Sequence, residues 1–81
     1  MAQDLLRERI FIDPNICFGK PCIKGTRIPI YLILELLEAG YSEEKILSDC
    51  YPDIIREDIR AAIHYAVGII KNEDVLLQET V

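Results

Sequence analysis

From residue 29 to residue 42 the chain reads Pro29-Ile30-Tyr31-Leu32-Ile33-Leu34-Glu35-Leu36-Leu37-Glu38-Ala39-Gly40-Tyr41-Ser42, a helix with both ends marked. Proline suits a first helical turn, where its missing N–H costs nothing. Glycine at 40 suits the left-handed position just past a helix end. Between them the segment is apolar nearly all round, with Glu35 and Glu38 marking the wet side. A helix of that kind is buried centrally or shared across an interface.

Working towards the C-terminus, Ser42 caps a second, short helix from Glu43 to about Asp49, with Glu43 and Glu44 placed favourably against its N-terminal dipole. This helix is expected to bury Ile46 and Leu47, and Tyr51-Pro52-Asp53 breaks it. A third runs from about Arg56 to Lys71, with Ile59, Ala62, Ile63, Ala66, Val67 and Ile70 at the spacing of a buried face. Gly68 inside it signals either close packing or the true helix end. The last two helices form a helix-turn-helix-like pair. The tail, residues 72–81, carries Val75-Leu76-Leu77 among acids. It extends the helix, adds a strand, or orders on a partner.

Towards the N-terminus, Arg9-Ile10-Phe11-Ile12 reads as a short strand stopped by Asp13-Pro14-Asn15. From Cys17 to Pro29 the glycines and prolines rule out helix. Thr26-Arg27-Ile28 is the expected partner of the first strand, giving a hairpin-like arm. The fold class is therefore mainly α, a trihelical bundle with a short N-terminal β arm. Residues 1–81 form a single domain: arm and loop over 9–29, bundle over 29–71, tail over 72–81.

Eighty-one residues fit one small domain, and 51% apolar with 28% charged side chains is a globular balance. No apolar run approaches the roughly 18 residues that cross a bilayer, and no secretory leader is visible. Three cysteines, an odd number, fit free thiols in a reducing compartment. A cytoplasmic location without membrane association is expected. So short and apolar a chain without disulfide staples is expected to pair, as a homodimer or with another protein.

The net charge of −5 hides a polarity. Residues 14–34 hold Lys20, Lys24 and Arg27 and no acid, while the remainder holds six basic and fourteen acidic side chains. Overall acidity does not exclude nucleic acid, because phosphates respond to the local patch.

The block Ile12-Asp13-Pro14, Ile16-Cys17, Gly19-Lys20-Pro21-Cys22-Ile23-Lys24-Gly25-Thr26-Arg27-Ile28-Pro29 resembles the prokaryotic family known as domain of unknown function 433. Leu36-Leu37, Gly40-Tyr41-Ser42-Glu43-Glu44, Ile46-Leu47, Tyr51-Pro52-Asp53 and Glu57-Asp58-Ile59-Arg60-Ala61-Ala62 agree with it, so the match covers about residues 9–67. The resemblance implies a homeodomain-like trihelical fold, often dimeric, and an antitoxin role beside a PIN-like ribonuclease toxin, with binding to the promoter of its own operon. Two positions depart from the family pattern. Ile55 stands where Thr or Ser commonly caps the third helix, and Phe18 where Gly is common.

Six residues are candidates for DNA contact. Lys20, Lys24 and Arg27 suit phosphates, with Gly19 and Gly25 letting backbone approach closely. Arg56, Arg60 and His64, at i, i+4 and i+8, suit one groove, and Arg60 suits guanine edges. Each has a plainer reading. The loop's glycines and prolines serve turns as well as phosphates, Arg27 is in reach of an acid such as Glu35, and Glu57 and Asp58 offer Arg pairing on a solvated face. Val75, Leu76 and Leu77 are candidates for partner binding, with self-packing equally open. Gly-Lys followed by Pro lacks a Walker pattern. Cys17, Cys22, Cys50 and His64 lack the usual zinc spacing and read as buried thiols and a helix histidine. No acid–base or nucleophile constellation is visible, so neither an enzyme nor a cofactor is expected. The alternative to an antitoxin is a dimeric protein-interaction adaptor that never touches DNA.

Overall fold

The computed structural model describes residues 8–72. Two strands and three helices follow one another: β1 (Ile10–Phe11), β2 (Cys22–Ile23), α1 (Ile30–Glu38), α2 (Glu43–Lys45, continued by a wider π-type turn over Ile46–Cys50) and α3 (Arg56–Lys71). The described chain is thus mainly helical, with a short N-terminal hairpin.

The hairpin pairs differently from the expectation. β1 runs antiparallel to β2, with Ile10 opposite Ile23 and Phe11 opposite Cys22; Thr26-Arg27-Ile28 is not its partner. Burial decides between the two segments. Cys22 and Ile23 are 1% and 2% exposed, whereas Arg27 remains in water and Thr26 is consumed by a turn. The Thr26 N–H donates to the Ile23 carbonyl at 3.0 Å and its hydroxyl donates to the same oxygen at 2.7 Å. Gly25 sits in this turn at φ +83°, where a side chain would be strained.

α1 begins at Pro29, which stands in the cap position rather than inside the first turn. It ends as the sequence indicates. The Tyr41 N–H donates to the Leu36 carbonyl and the Gly40 N–H to the Leu37 carbonyl, both at 3.0 Å, with Gly40 at φ +98°. This paired closure satisfies carbonyls that the helix leaves orphaned. Ser42 Oγ accepts from the Lys45 N–H at 3.1 Å and caps α2. The helix then widens, the Tyr51 N–H donating to the Ile46 carbonyl at 2.8 Å.

Ile23, Ile30, Ile33, Ile46, Ile54, Ile59 and Ala62 form the core. β2, all three helical segments and the α2–α3 linker contribute to it. α1 and β1 both pack on α3, but only on part of it. Ile59, Ala61 and Ala62 are buried, although Ala61 is not among the positions spaced for the buried face. Ile63, Val67 and Ile70, expected in the core, are 39%, 44% and 59% exposed, and Ala66 is half-buried. Length explains this for Val67 and Ile70, while Ile63, in the first half of α3 and next to the buried Ala62, is turned away by its position around the helix. Sixteen residues make a rod of roughly 24 Å, whereas the nine of α1 reach only roughly 14 Å. Among the described residues, the far half of α3 outruns what packs against it.

Ile55 offers no side-chain cap to α3. Asp58 supplies the other half of a capping box, its Oδ2 accepting from the Ile55 N–H at 3.0 Å. Gly68 is neither a packing point nor an end: an added Cβ would meet nothing within 4 Å, and the helix runs on to Lys71. None of the helices among the described residues is long and apolar enough to cross a membrane.

Candidate functional site

The basic loop is built on an unusual backbone. Cys17, Phe18 and Gly19 all have positive φ, at 54°, 57° and 80°, a left-handed turn costly for residues with a Cβ. Thiols help to fix it. Cys17 Sγ donates to the Arg27 carbonyl at 3.2 Å, and Cys22 Sγ donates to the Lys20 carbonyl at 3.3 Å. Burial, then the nearby Cys17 thiol, pushes the Cys22 pKa up to about 11, so this thiol keeps its proton and its bond at neutral pH.

Lys20, Lys24 and Arg27 are all exposed, but they do not share one surface hollow. Lys20 stands at the edge of an apolar hollow of about 560 Å³ between α1 and α3, lined by Ile30, Tyr31, Leu34, Tyr65 and Ile69 among others. Arg27 opens onto another, with Phe11, Ile16 and Asp53. Lys24 lies next to β1, its N–H donating to the Arg9 carbonyl at 2.8 Å.

On α3 the three candidates have different surroundings. Arg56 Nε is 3.1 Å from Glu43 Oε1, so its ion pair goes to α2 and not to Glu57 on its own helix. Arg60 is exposed. His64 is half-buried and lines a hollow of about 470 Å³ with Ile10, Ile12, Ala61 and Gly68. Asp58, read from the sequence as a surface acid, is 7% exposed and pairs with Arg9 Nη1 at 3.1 Å. A pair between Arg27 and Glu35 is not among the ion pairs joining described residues. Among the described residues no three or more His, Cys, Asp or Glu side chains gather to hold a metal ion. Cys17, Cys22, Cys50 and His64 therefore do not converge.

The surface that periodicity concealed is the distal part of α3. Ile63, Val67 and Ile70 recur at i, i+4 and i+7, and Ile69 beside them is 44% exposed. The same apolar repeat that identified the helix disguised this face as core. A comparison of helix lengths is the signal that separates the two. Val75, Leu76 and Leu77, the candidates for partner binding, lie outside the described residues.

The family model described as "Protein of unknown function (DUF433)" matches residues 10–66. An uncharacterized protein, y4eO, of Sinorhizobium fredii is 38% identical over 60 residues, covering 74% of this chain and 27% of its own length. The chain thus spans about a quarter of that relative. A crystal structure of a DUF433 member from Anabaena variabilis superposes with a TM-score of 0.73 at 29% identity, over 93% of this chain and 73% of that one.

Proposed function

The chain belongs to the DUF433 family, and we propose that it is the antitoxin component of a type II toxin–antitoxin pair. In this reading it binds a PIN-like ribonuclease toxin through the distal half of α3 and the Val75-Leu76-Leu77 tail. It binds operator DNA through the helix-turn-helix, with Arg56, Arg60 and His64, and through Lys20, Lys24 and Arg27 of the loop. It works in the cytoplasm as a homodimer, without cofactor and without catalysis of its own.

The observation that carries the reading is the apolar face left in water on α3, with Ile63, Val67 and Ile70 39–59% exposed on consecutive turns. Contiguous apolar surface rimmed by charge marks a site of association, and an apolar helix face is recognised by a groove on a partner. The net charge of −5 complements the electropositive site that a ribonuclease needs for RNA. Co-expression with the protein encoded by the adjacent gene tests the proposal. A stable complex and rescue of growth support it; a toxic neighbour that neither binds nor is neutralised refutes it.

A second reading, a dimeric adaptor that never touches DNA, is favoured by one contact. Arg56 already has its counter-ion in Glu43, which weakens the helix-turn-helix as a phosphate-binding face. Gel-shift titration on the upstream intergenic DNA separates the readings. Operator contact gives binding that weakens steeply with salt; the adaptor gives no such binding.

A further inference from the structure

Phe18 is 98% exposed, the most exposed of the large hydrophobic side chains described. Single apolar residues on a surface need no explanation, but this one stands on a backbone that resists it. Cys17 and Phe18 both hold positive φ, a conformation that persists only where the surroundings over-determine it. The surroundings do so. The Gly19 N–H donates to the Ile16 carbonyl at 3.0 Å and the Lys20 N–H to the Cys17 carbonyl at 3.1 Å. The Cys17 and Cys22 thiols tie the loop to Arg27 and to Lys20. A fixed loop therefore displays one aromatic ring in water.

The charge around the ring says what it meets. Lys20 is two residues away and exposed. The Arg27 carbonyl is bonded to the thiol of the residue preceding Phe18. The stretch 14–34 contains no acid; of the acids outside it, Asp13 accepts from the Asn15 N–H at 2.8 Å and Asp53 shares Arg27's hollow. An apolar protein pocket would accept the ring but has no use for the cations. Nucleic acid uses both, offering base faces for stacking and phosphates beside them.

We propose that Phe18 is an aromatic wedge that stacks against a base of bound nucleic acid while Lys20 and Arg27 hold neighbouring phosphates. This deepens the operator-binding part of the function proposed above and rests on it. The wedge unstacks a base step, so its signature is optical as well as thermodynamic.

The test uses the full chain and upstream intergenic duplexes carrying 2-aminopurine at successive positions, at about 50 mM salt. Wild type should bind and brighten the probe at one step. Phe18→Ala should keep the wild-type melting temperature, lose about ten-fold in affinity or more, and lose the optical signal; Phe18→Trp should restore affinity. Lys20→Ala with Arg27→Ala should weaken binding and flatten its salt dependence. If Phe18→Ala binds as tightly with the same signal, the wedge is wrong while operator binding survives. If wild type binds no duplex, operator binding fails and the wedge with it. If Phe18→Ala keeps DNA but loses the protein partner, the ring is a protein anchor and the proposal is overturned.

Discussion

The guanidinium of Arg9 lies 3.1 Å from Asp58 Oδ1 across 49 positions of sequence, joining the N-terminal arm to the first turn of α3. The other Asp58 oxygen accepts from the Ile55 N–H at 3.0 Å. One buried carboxylate thus starts the helix and fastens the hairpin to it, replacing the side-chain cap that Ile55 lacks.

Asp58→Ala breaks both bonds and leaves the Ile55 N–H without this partner. A loss of about 1.5–3 kcal/mol in urea unfolding is expected, the range for hydrogen bonds involving charged groups. Arg9→Ala removes only the more exposed partner and spares the cap, so its cost is below that of Asp58→Ala. Equal losses for the two variants would show that leaving the buried carboxylate unpaired costs as much as losing the helix cap.

The two halves of α3 respond unequally to truncation. Ile59→Ala, at a fully buried position, costs about 2–5 kcal/mol by cavity formation. Ile70→Ser, at a position 59% exposed, changes stability by no more than about 0.5 kcal/mol. Thermal denaturation of the two variants checks the pair.

Gly68→Ala is stabilising. The added methyl meets open space, and alanine gains about 1 kcal/mol over glycine inside a helix. A fall in melting temperature would mean that something packs against Gly68 in solution.

Much of the architecture was legible because its signals are local. The Gly40 helix end and the Ser42 cap depend on a few neighbouring residues, and both formed where the sequence put them. The strand pairing was not local. Thr26-Arg27-Ile28 has strand-like composition, but its hydroxyl closes a turn, and the buried pair Cys22-Ile23 takes the place in the hairpin. Asp58 looked like a surface acid because its partner lies far away in sequence. The exposed face of α3 shares its period with the buried one, and periodicity cannot say where coverage stops.

Cys22 makes stability depend on alkaline pH. Burial, and after it the Cys17 thiol, raises its pKa from 9.0 to about 11 in the folded chain. Below about pH 9 the thiol is protonated in both states, and its contribution is fully present. Between about 9 and 11 the unfolded chain releases a proton that the folded chain retains, so stability falls as pH rises. Melting temperatures followed across that window should decline more steeply for wild type than for Cys22→Ala. Parallel profiles would contradict the burial of this thiol.

In the proposed function, the distal face of α3 is the surface a protein partner covers. The decisive measurement is the affinity of the protein encoded by the adjacent gene for wild type and for the triple variant Ile63→Asp, Val67→Asp, Ile70→Asp, each first shown to be folded by circular dichroism. At least a hundred-fold weaker binding by the variant, about 2.7 kcal/mol, is expected while the variant remains folded. A folded variant that binds as tightly as wild type would contradict it.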